Sequence, residues 1–283
     1  MSDERAKVRL VTEPVVIVLA EQQLDVTGMN QLLDWVQDYR PECVPDNLPA
    51  DIRRRAMALF PHDGHDNGRV LSDNEKLVEL AGRECYHSYG LKAGKKSNEE
   101  YIANTQSGSI PHRSLMYHAK MTFFLAGISR RVSHELIRHY VGADRSEEGS
   151  PSMESTRYTF HPGHFAVPPY MVDHDLLVPF EEAMREAYQV YRDFIASEES
   201  CWLNQHGQPP KGMDRKRIYE AAAGLLPMQA CTSMVWTTNP IALAKLFQER
   251  CDIAADREFQ RFARAWRDIA YTRWPNLFPG SKP

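Results

Sequence analysis

Apolar residues recur every three or four positions at Met121, Leu125, Ile128, Val132 and Leu136, the stripe of a helix with one buried face. The pattern predicts one long helix over about 114–139. Arg131, Glu135 and Arg138 share that spacing on another face, so the three can point at one place. Two early β-branched runs, 8–11 and 15–19, are split by Glu13-Pro14 and read as strands. Residues 41–70 are rich in Pro, Asp and Gly and read as an insertion or surface excursion, with one short helix at 51–59. Ser72 or Asp73 caps a helix over 74–88, with Gly90 as its stop. A second long helix lies within 172–199, where Pro179 sits in the first turns or marks the start, and 203–214 is a connection. A helix over 215–226 ends at Pro227, a strand follows over 230–238, and Asn239-Pro240 opens another helix with a strong N-cap and a proline at its first position. A short extended exit is expected from Phe165 to Pro169. These elements predict an α/β (α+β) fold of one domain, since neither a repeat nor a separate second core is visible.

Composition narrows the function classes. A chain of 283 residues with 42% hydrophobic content can bury a real core, and a net charge of −4 argues against a general nucleic-acid binder. Five widely spaced cysteines (43, 85, 201, 231 and 251) with no CxxC pair suit a reduced compartment rather than a disulfide framework or a zinc site. The opening residues are charged, without the apolar core of a signal peptide, and the longest apolar run, 15–20, is far too short to span a bilayer. A cytoplasmic protein with no membrane partner is expected.

The chemistry concentrates in 129–158. A helix presenting Arg and Glu runs into a loop rich in Gly and Ser that ends in Ser155-Thr156-Arg157-Tyr158. Arginine forks, hydroxyls and free backbone N–H groups are what phosphate oxygens accept from. Taken alone, the same residues also suit a solvated helix end and a surface loop. The helix opened by Asn239 starts with unsatisfied N–H groups that favour an anion, and carries Lys245 and Arg250 further along. GLKAGKKS at 90–97 misses the phosphate-loop spacing by one residue and has no hydrophobic strand before it. His161 and His164 have a spacing seen in metal sites, but no carboxylate or cysteine stands nearby, and no metal is expected. Trp236 and Tyr188 read as packing residues, and Cys231, inside a predicted strand, as core rather than nucleophile.

Four pieces, HRSLMYH at 112–118, SRRVSHELIRH at 129–139, STRY at 155–158 and LPMQACTSMVWTTNPIALAKLFQER at 226–250, together resemble the flavin-dependent thymidylate synthases in order and largely in spacing. The resemblance covers roughly residues 74–275 and implies a largely antiparallel sheet packed with long helices. It further implies a homotetramer with sites at subunit interfaces, binding FAD, with NADPH and methylenetetrahydrofolate as co-substrates. The implied reaction is reductive C5-methylation of a uridine 5′-monophosphate. By the same resemblance Arg138 and His139 meet the flavin, with Tyr140 in the third position of that motif, and Ser114 lies on the diphosphate side. Asn239, Pro240, Ile241 and Lys245 are further flavin contacts. Glu135 and Arg138 line the nucleotide site, Ser155, Thr156 and Arg157 hold its phosphate and sugar, and Arg250 is the catalytic arginine that engages the uracil ring.

Several positions depart from the family pattern. Tyr140 replaces an arginine, Tyr117 a glutamate, Met153 a polar residue unless Glu154 has shifted into its place, and Ala223 an arginine that helps bind the phosphate. The signature loop, 140–154, is lengthened and includes Asp144, Arg145, Glu147 and Glu148. These changes suit a roomier nucleotide pocket that accepts UMP as well as dUMP. An ordinary dUMP-specific synthase, a flavin-binding homologue without catalysis, and a helical interaction protein without a cofactor are the competing readings.

Overall fold

Four antiparallel strands form the central sheet, in the spatial order β2 (Val15–Glu21), β5 (Met121–Ser129), β8 (Cys231–Thr238) and β6 (Ser150–Met153). β1 (Arg9–Val11) pairs in parallel with β7 (His164–Ala166), and β3 (His65–Asp66) forms a small hairpin with β4 (Arg69–Val70). Ten helices accompany them among the described residues: α1 (Val26–Tyr39), α2 (Ile52–Ala56), α3 (Asp73–Tyr86), α4 (Asn98–Gln106), α5 (Arg130–Val141), α6 (Pro169–Asp173), α7 (Leu177–His206), α8 (Met213–Ala222), α9 (Pro240–Arg250) and α10 (Arg257–Arg273). This is a computed structural model that describes residues 6–107, 111–141 and 150–278. The side chain of Tyr140, and the loop positions Asp144, Arg145, Glu147 and Glu148, lie outside what is described.

The apolar stripe at 121–136 is not one helix, contrary to its spacing. Met121, Phe123 and Leu125 alternate toward the core as strand residues, and helix begins only at Arg130. Gly127, at φ +69, is the extra residue of a bulge between Ala126 and Ile128. The bulge turns a two-residue step into the three-residue step from Leu125 to Ile128, which imitates helical spacing. A side chain at Gly127 would press on the Glu13 carbonyl at 3.1 Å, besides adopting a φ that L residues avoid.

One sheet face carries the main core. Phe123 and Leu125 of β5, with Met234 and Trp236 of β8, pack against Leu243 and Phe247 of α9 and Phe259, Phe262 and Trp266 of α10. Full burial of a side chain such as Phe262 contributes about 1.5–3 kcal/mol. The opposite face is open in the single chain, with Ile17 and Leu19 of β2 48% and 53% exposed.

The other early elements form where the pattern placed them, with adjustments. Ser72 caps α3 in a reciprocal box with Glu75, but the helix stops at left-handed His87 (φ 46) rather than at Gly90. Pro179 sits in the first turn of α7, where no internal hydrogen bond is lost. α7 continues through Leu203 to His206 and closes on Gly207 at φ +70, which shortens the expected connection. α1, α4, α10, β6 and the β3–β4 hairpin were not anticipated. The 41–70 segment is packed rather than loose: Cys43, Leu59 and Phe60 join Leu33 and Val36 of α1 in a cluster of their own. His62 fastens it to α3 through the fully buried Glu79 (2.7 Å), which also binds Arg83 (2.6 Å) and Asn98 (2.6 Å).

Candidate functional site

α5 leaves the bulged end of β5 with the Ser129 hydroxyl accepting from the Val132 amide at 3.1 Å, an N-cap for its first turn. Arg131 does not join Glu135 and Arg138 as their spacing suggested. Its guanidinium turns to Asp256 and to Glu258 (3.0 Å), which locks α5 to the start of α10. Arg138 is exposed.

Three predicted site residues do meet where the last turns of α5 and α9 come together. Arg250 donates from Nε to His139 Nε2 at 2.7 Å and from Nη1 to Glu135 Oε2 at 3.2 Å. The buried Phe259 ring lies below, 4.9 Å from the guanidinium carbon and edge-on to His139 at 5.9 Å. Burial, and then the Arg250 charge, push His139 down to about 4, so it is neutral at physiological pH. Beside this cluster lies a cleft of about 720 Å³ lined by Arg113, Ile241, Lys245, Gln248, Glu249 and Arg250, among others. Three cations, Arg113, Lys245 and Arg250, face two carboxylates, Glu249 and Asp252, and Ile241 with three alanines gives the cleft an apolar wall.

The expected flavin contacts divide by role. Ile241 and Lys245 line the cleft, and exposed Ser114 stands beside its Arg113. Asn239 and Pro240 are buried, and the Asn239 carboxamide oxygen accepts from Ala242 N at 3.0 Å, so this pair holds the start of α9. The polar and apolar lining has the donors and the apolar wall that a flavin dinucleotide needs, and Asn239 and Pro240 set the start of the helix that carries Ile241 and Lys245.

Ser155, Thr156 and Arg157 lie elsewhere. Glu154 is anchored by its amide to the Ser233 carbonyl (2.9 Å) and by its own carbonyl to Arg130 Nη2 (3.1 Å), at the N-terminal end of α5. The nine steps from Arg130 to His139 span about 13 Å of helix. Arg157 is exposed, with its guanidinium 5.7 Å from the Tyr158 ring, and Lys216 of α8 approaches the same ring at 5.1 Å. Ala223 follows α8 in a 3-10 turn, Ala223–Leu225, and Met153 packs against the main core. Within one chain the two groups of predicted site residues therefore lie at opposite ends of α5.

Arg113, Glu249, Phe259 and Lys216 were missed by sequence reasoning. Glu249 adjoins Arg250 and could have been found on that ground, but nothing local marks Phe259 or Lys216 as neighbours of the site. The remaining candidates are structural. Trp236 and Tyr188 are buried. His161 is a core histidine: Nδ1 accepts from Gly163 N (3.2 Å), Nε2 faces the Cys231 carbonyl (3.3 Å), and burial pushes it down to about 4. No cluster of three metal-ligating side chains occurs among the described residues. Burial pushes the Cys231 thiol up to about 12 and raises Cys251 as well, so both stay protonated. No helix among the described residues is long and apolar enough to cross a membrane.

The fold is an antiparallel sheet topped by helices, with Arg250 held by side chains at the edge of a polar cleft. The chain belongs to the thymidylate synthase complementing protein family, whose profile matches residues 69–276. It is 34% identical over 191 residues to the flavin-dependent thymidylate synthase of Mycobacterium tuberculosis H37Rv, covering 66% of this chain and 71% of that one. The flavin-dependent thymidylate synthase of Clostridium tetani is 28% identical over 214 residues, covering 74% of this chain and 82% of that one. Two solved structures share the fold. Thymidylate synthase X from Helicobacter pylori, with FAD and dUMP, superposes at a TM-score of 0.50 and 19% identity, over 72% of this chain and 94% of that one. The UMP/dUMP methylase PolB from Streptomyces cacaoi, bound with 5-Br dUMP, gives 0.50 at 17% identity over 96% and 95%.

Proposed function

We propose that the chain is a flavin-dependent methyltransferase that places a reduced one-carbon unit on C5 of a uridine 5′-monophosphate, accepting both UMP and dUMP. In this reading FAD is the flavin, and NADPH and methylenetetrahydrofolate are co-substrates. The observation that carries it is Arg250: a permanently charged, planar donor set, held on one edge by His139 and Glu135 and bordering a polar cleft that also holds Arg113 and Lys245. C5 of uracil is a poor nucleophile, and a cation at the N3–C4 edge stabilises the negative charge that builds on the ring as C5 attacks. Bound flavin supplies the hydride, so the chain needs no redox side chain of its own. The high thiol pKa of Cys231 and Cys251 fits a reaction without a cysteine nucleophile.

Lys245 and Ile241, with Ser114 and Arg138, hold the flavin in this reading, while Ser155, Thr156 and Arg157 take the nucleotide phosphate. Since these two groups are separated along α5, a complete site draws them from different copies of the chain. The open sheet face with Ile17 and Leu19 supports such an assembly, for which a homotetramer is proposed. The sugar preference follows from Ala223, which offers only a methyl group, and from Met153, which is packed into the core, so neither helps order a tight pocket. Size alone excludes an added hydroxyl by about a hundredfold at best.

The test is tritium release from C5-labelled UMP and dUMP by the flavin-loaded protein, with kcat/KM for each under identical conditions. Turnover of both within about a hundredfold is expected. A dUMP preference near a thousandfold returns the chain to ordinary thymidylate synthesis. A yellow protein that releases no tritium from either nucleotide is a flavin-binding homologue.

A further inference from the structure

The contact between His139 and Arg250 fixes more than a distance. Every polar hydrogen of a guanidinium is donated and it has no acceptor, so an imidazole nitrogen 2.7 Å from Arg250 Nε must offer its lone pair. The ring hydrogen of His139 is then on Nδ1, which faces Glu249 Oε2 at 3.7 Å. An imidazolium at this place would set donor against donor and cation against cation. Lys245 and Arg138 add further positive charge around the ring, and Glu249 is the opposing carboxylate. With Nε on His139, Nη1 on Glu135 and one π face on Phe259, the guanidinium plane has little freedom. Nη2 has no protein partner among the described residues, and Arg250 lines the cleft.

We propose that His139 is a positioning residue that works through Arg250, as a neutral acceptor that holds the guanidinium plane so that its Nη2 edge meets the substrate. This rests on the reading of Arg250 as the group that engages the uracil ring. It differs from the role the family resemblance implies for His139, which is contact with the flavin. Glu249 Oε2, 3.7 Å from Nδ1, adds a favourable charge on that side of the ring, while the tautomer itself is set by the Arg250 Nε contact.

The variants His139→Gln, His139→Lys and His139→Ala separate the two roles on the flavin-loaded enzyme. A glutamine carbonyl reaches about as far as Nε2 and accepts, whereas a lysine ammonium only donates. His139→Ala and His139→Lys are expected to lower kcat/KM for UMP by about ten- to a hundredfold with flavin content unchanged. His139→Gln should recover most of that loss. The double variant His139→Ala with Arg250→Ala should be no worse than Arg250→Ala alone, because both remove one device. Flavin lost in step with activity, or losses that simply add in the double variant, overturn the proposal. The pairing has its own readout that does not depend on turnover. In 15N spectra the Arg250 Nε–H resonance, assigned by its loss in Arg250→Ala, should move in His139→Lys and stay in His139→Gln, with His139 as the Nδ1–H tautomer. A resonance indifferent to both substitutions removes the contact. A wild type inert toward both nucleotides would strike the proposed reaction, while the resonance would still decide the pairing.

Discussion

At its C-terminal end α5 meets the last turn of α9, and the cation found there is held on three sides by His139, Glu135 and Phe259. At its N-terminal end the same helix borders Ser155–Arg157, where Arg157 is exposed and lies near the Tyr158 ring, itself 62% exposed. Both places offer an arginine, but Arg250 is held by side chains on three sides whereas Arg157 is exposed. A held guanidinium is prepared to stabilise charge that appears during a reaction, and a loose one is suited to capture a phosphate that arrives already charged. If the contrast is real, substitutions at the two ends should fail differently, the first in turnover and the second in binding.

The largest effect is expected at the held end. Arg250→Ala should reduce methylation by at least about a hundredfold, the cost of removing one charge-stabilising donor, while flavin stays bound. Flavin absorbance lost in parallel with activity would reassign Arg250 to the cofactor and erase the distinction between the ends. At the loose end, Arg157→Ala should weaken nucleotide binding by about ten- to a hundredfold, with folate binding little changed. Unchanged nucleotide affinity by titration would remove Arg157 from the site.

Each end also has a buried histidine, and acid should expose both. His139 and His161 are each pushed down to about 4, mainly by burial, against an ordinary value of 6.5. Between those limits the unfolded chain binds the proton that the folded chain refuses, so stability is constant above about pH 7 and falls as pH drops from 6.5 toward 4. At pH 5 the loss is about 2 kcal/mol for each histidine. Urea titrations at pH 5 and pH 7.5 on His139→Gln and His161→Gln should each show about half of the wild-type acid sensitivity that these two groups produce. Slopes identical to wild type would place the titration elsewhere.

Residues of both ends were named from the sequence, but their neighbours across the fold were not, for reasons that lie in how each signal is written. Glu135, His139 and Arg250 were singled out by the family resemblance, and the local cap and proline of Asn239-Pro240 marked the start of α9. The β5–α5 junction was misread because a bulge at Gly127 converts strand alternation into helical spacing, and periodicity alone cannot tell the two apart. Phe259 and Lys216 were missed because they approach their partners from α10 and α8 across the fold, at separations no motif encodes. The expectation that Arg131 would join Glu135 failed through competition: Asp256 and Glu258 lie closer, on an element whose position spacing does not reveal.

The weakest interaction at the loose end gives the finest test of the contrast. Lys216 Nζ stands 5.1 Å from the Tyr158 ring, with Arg157 on the same ring at 5.7 Å. At an exposed ring such a contact contributes about 0.5–1 kcal/mol, so it can bias the loop but cannot freeze it. Lys216→Ala should therefore raise the nucleotide dissociation constant by no more than about fivefold and leave kcat at saturation unchanged. Lys216→Met, which keeps the stem and drops the charge, should behave the same if the cation is what matters. A loss of about a hundredfold in either variant would mean that Lys216 itself grips the phosphate, and the end of α5 described here as loose would then be as firmly built as the other.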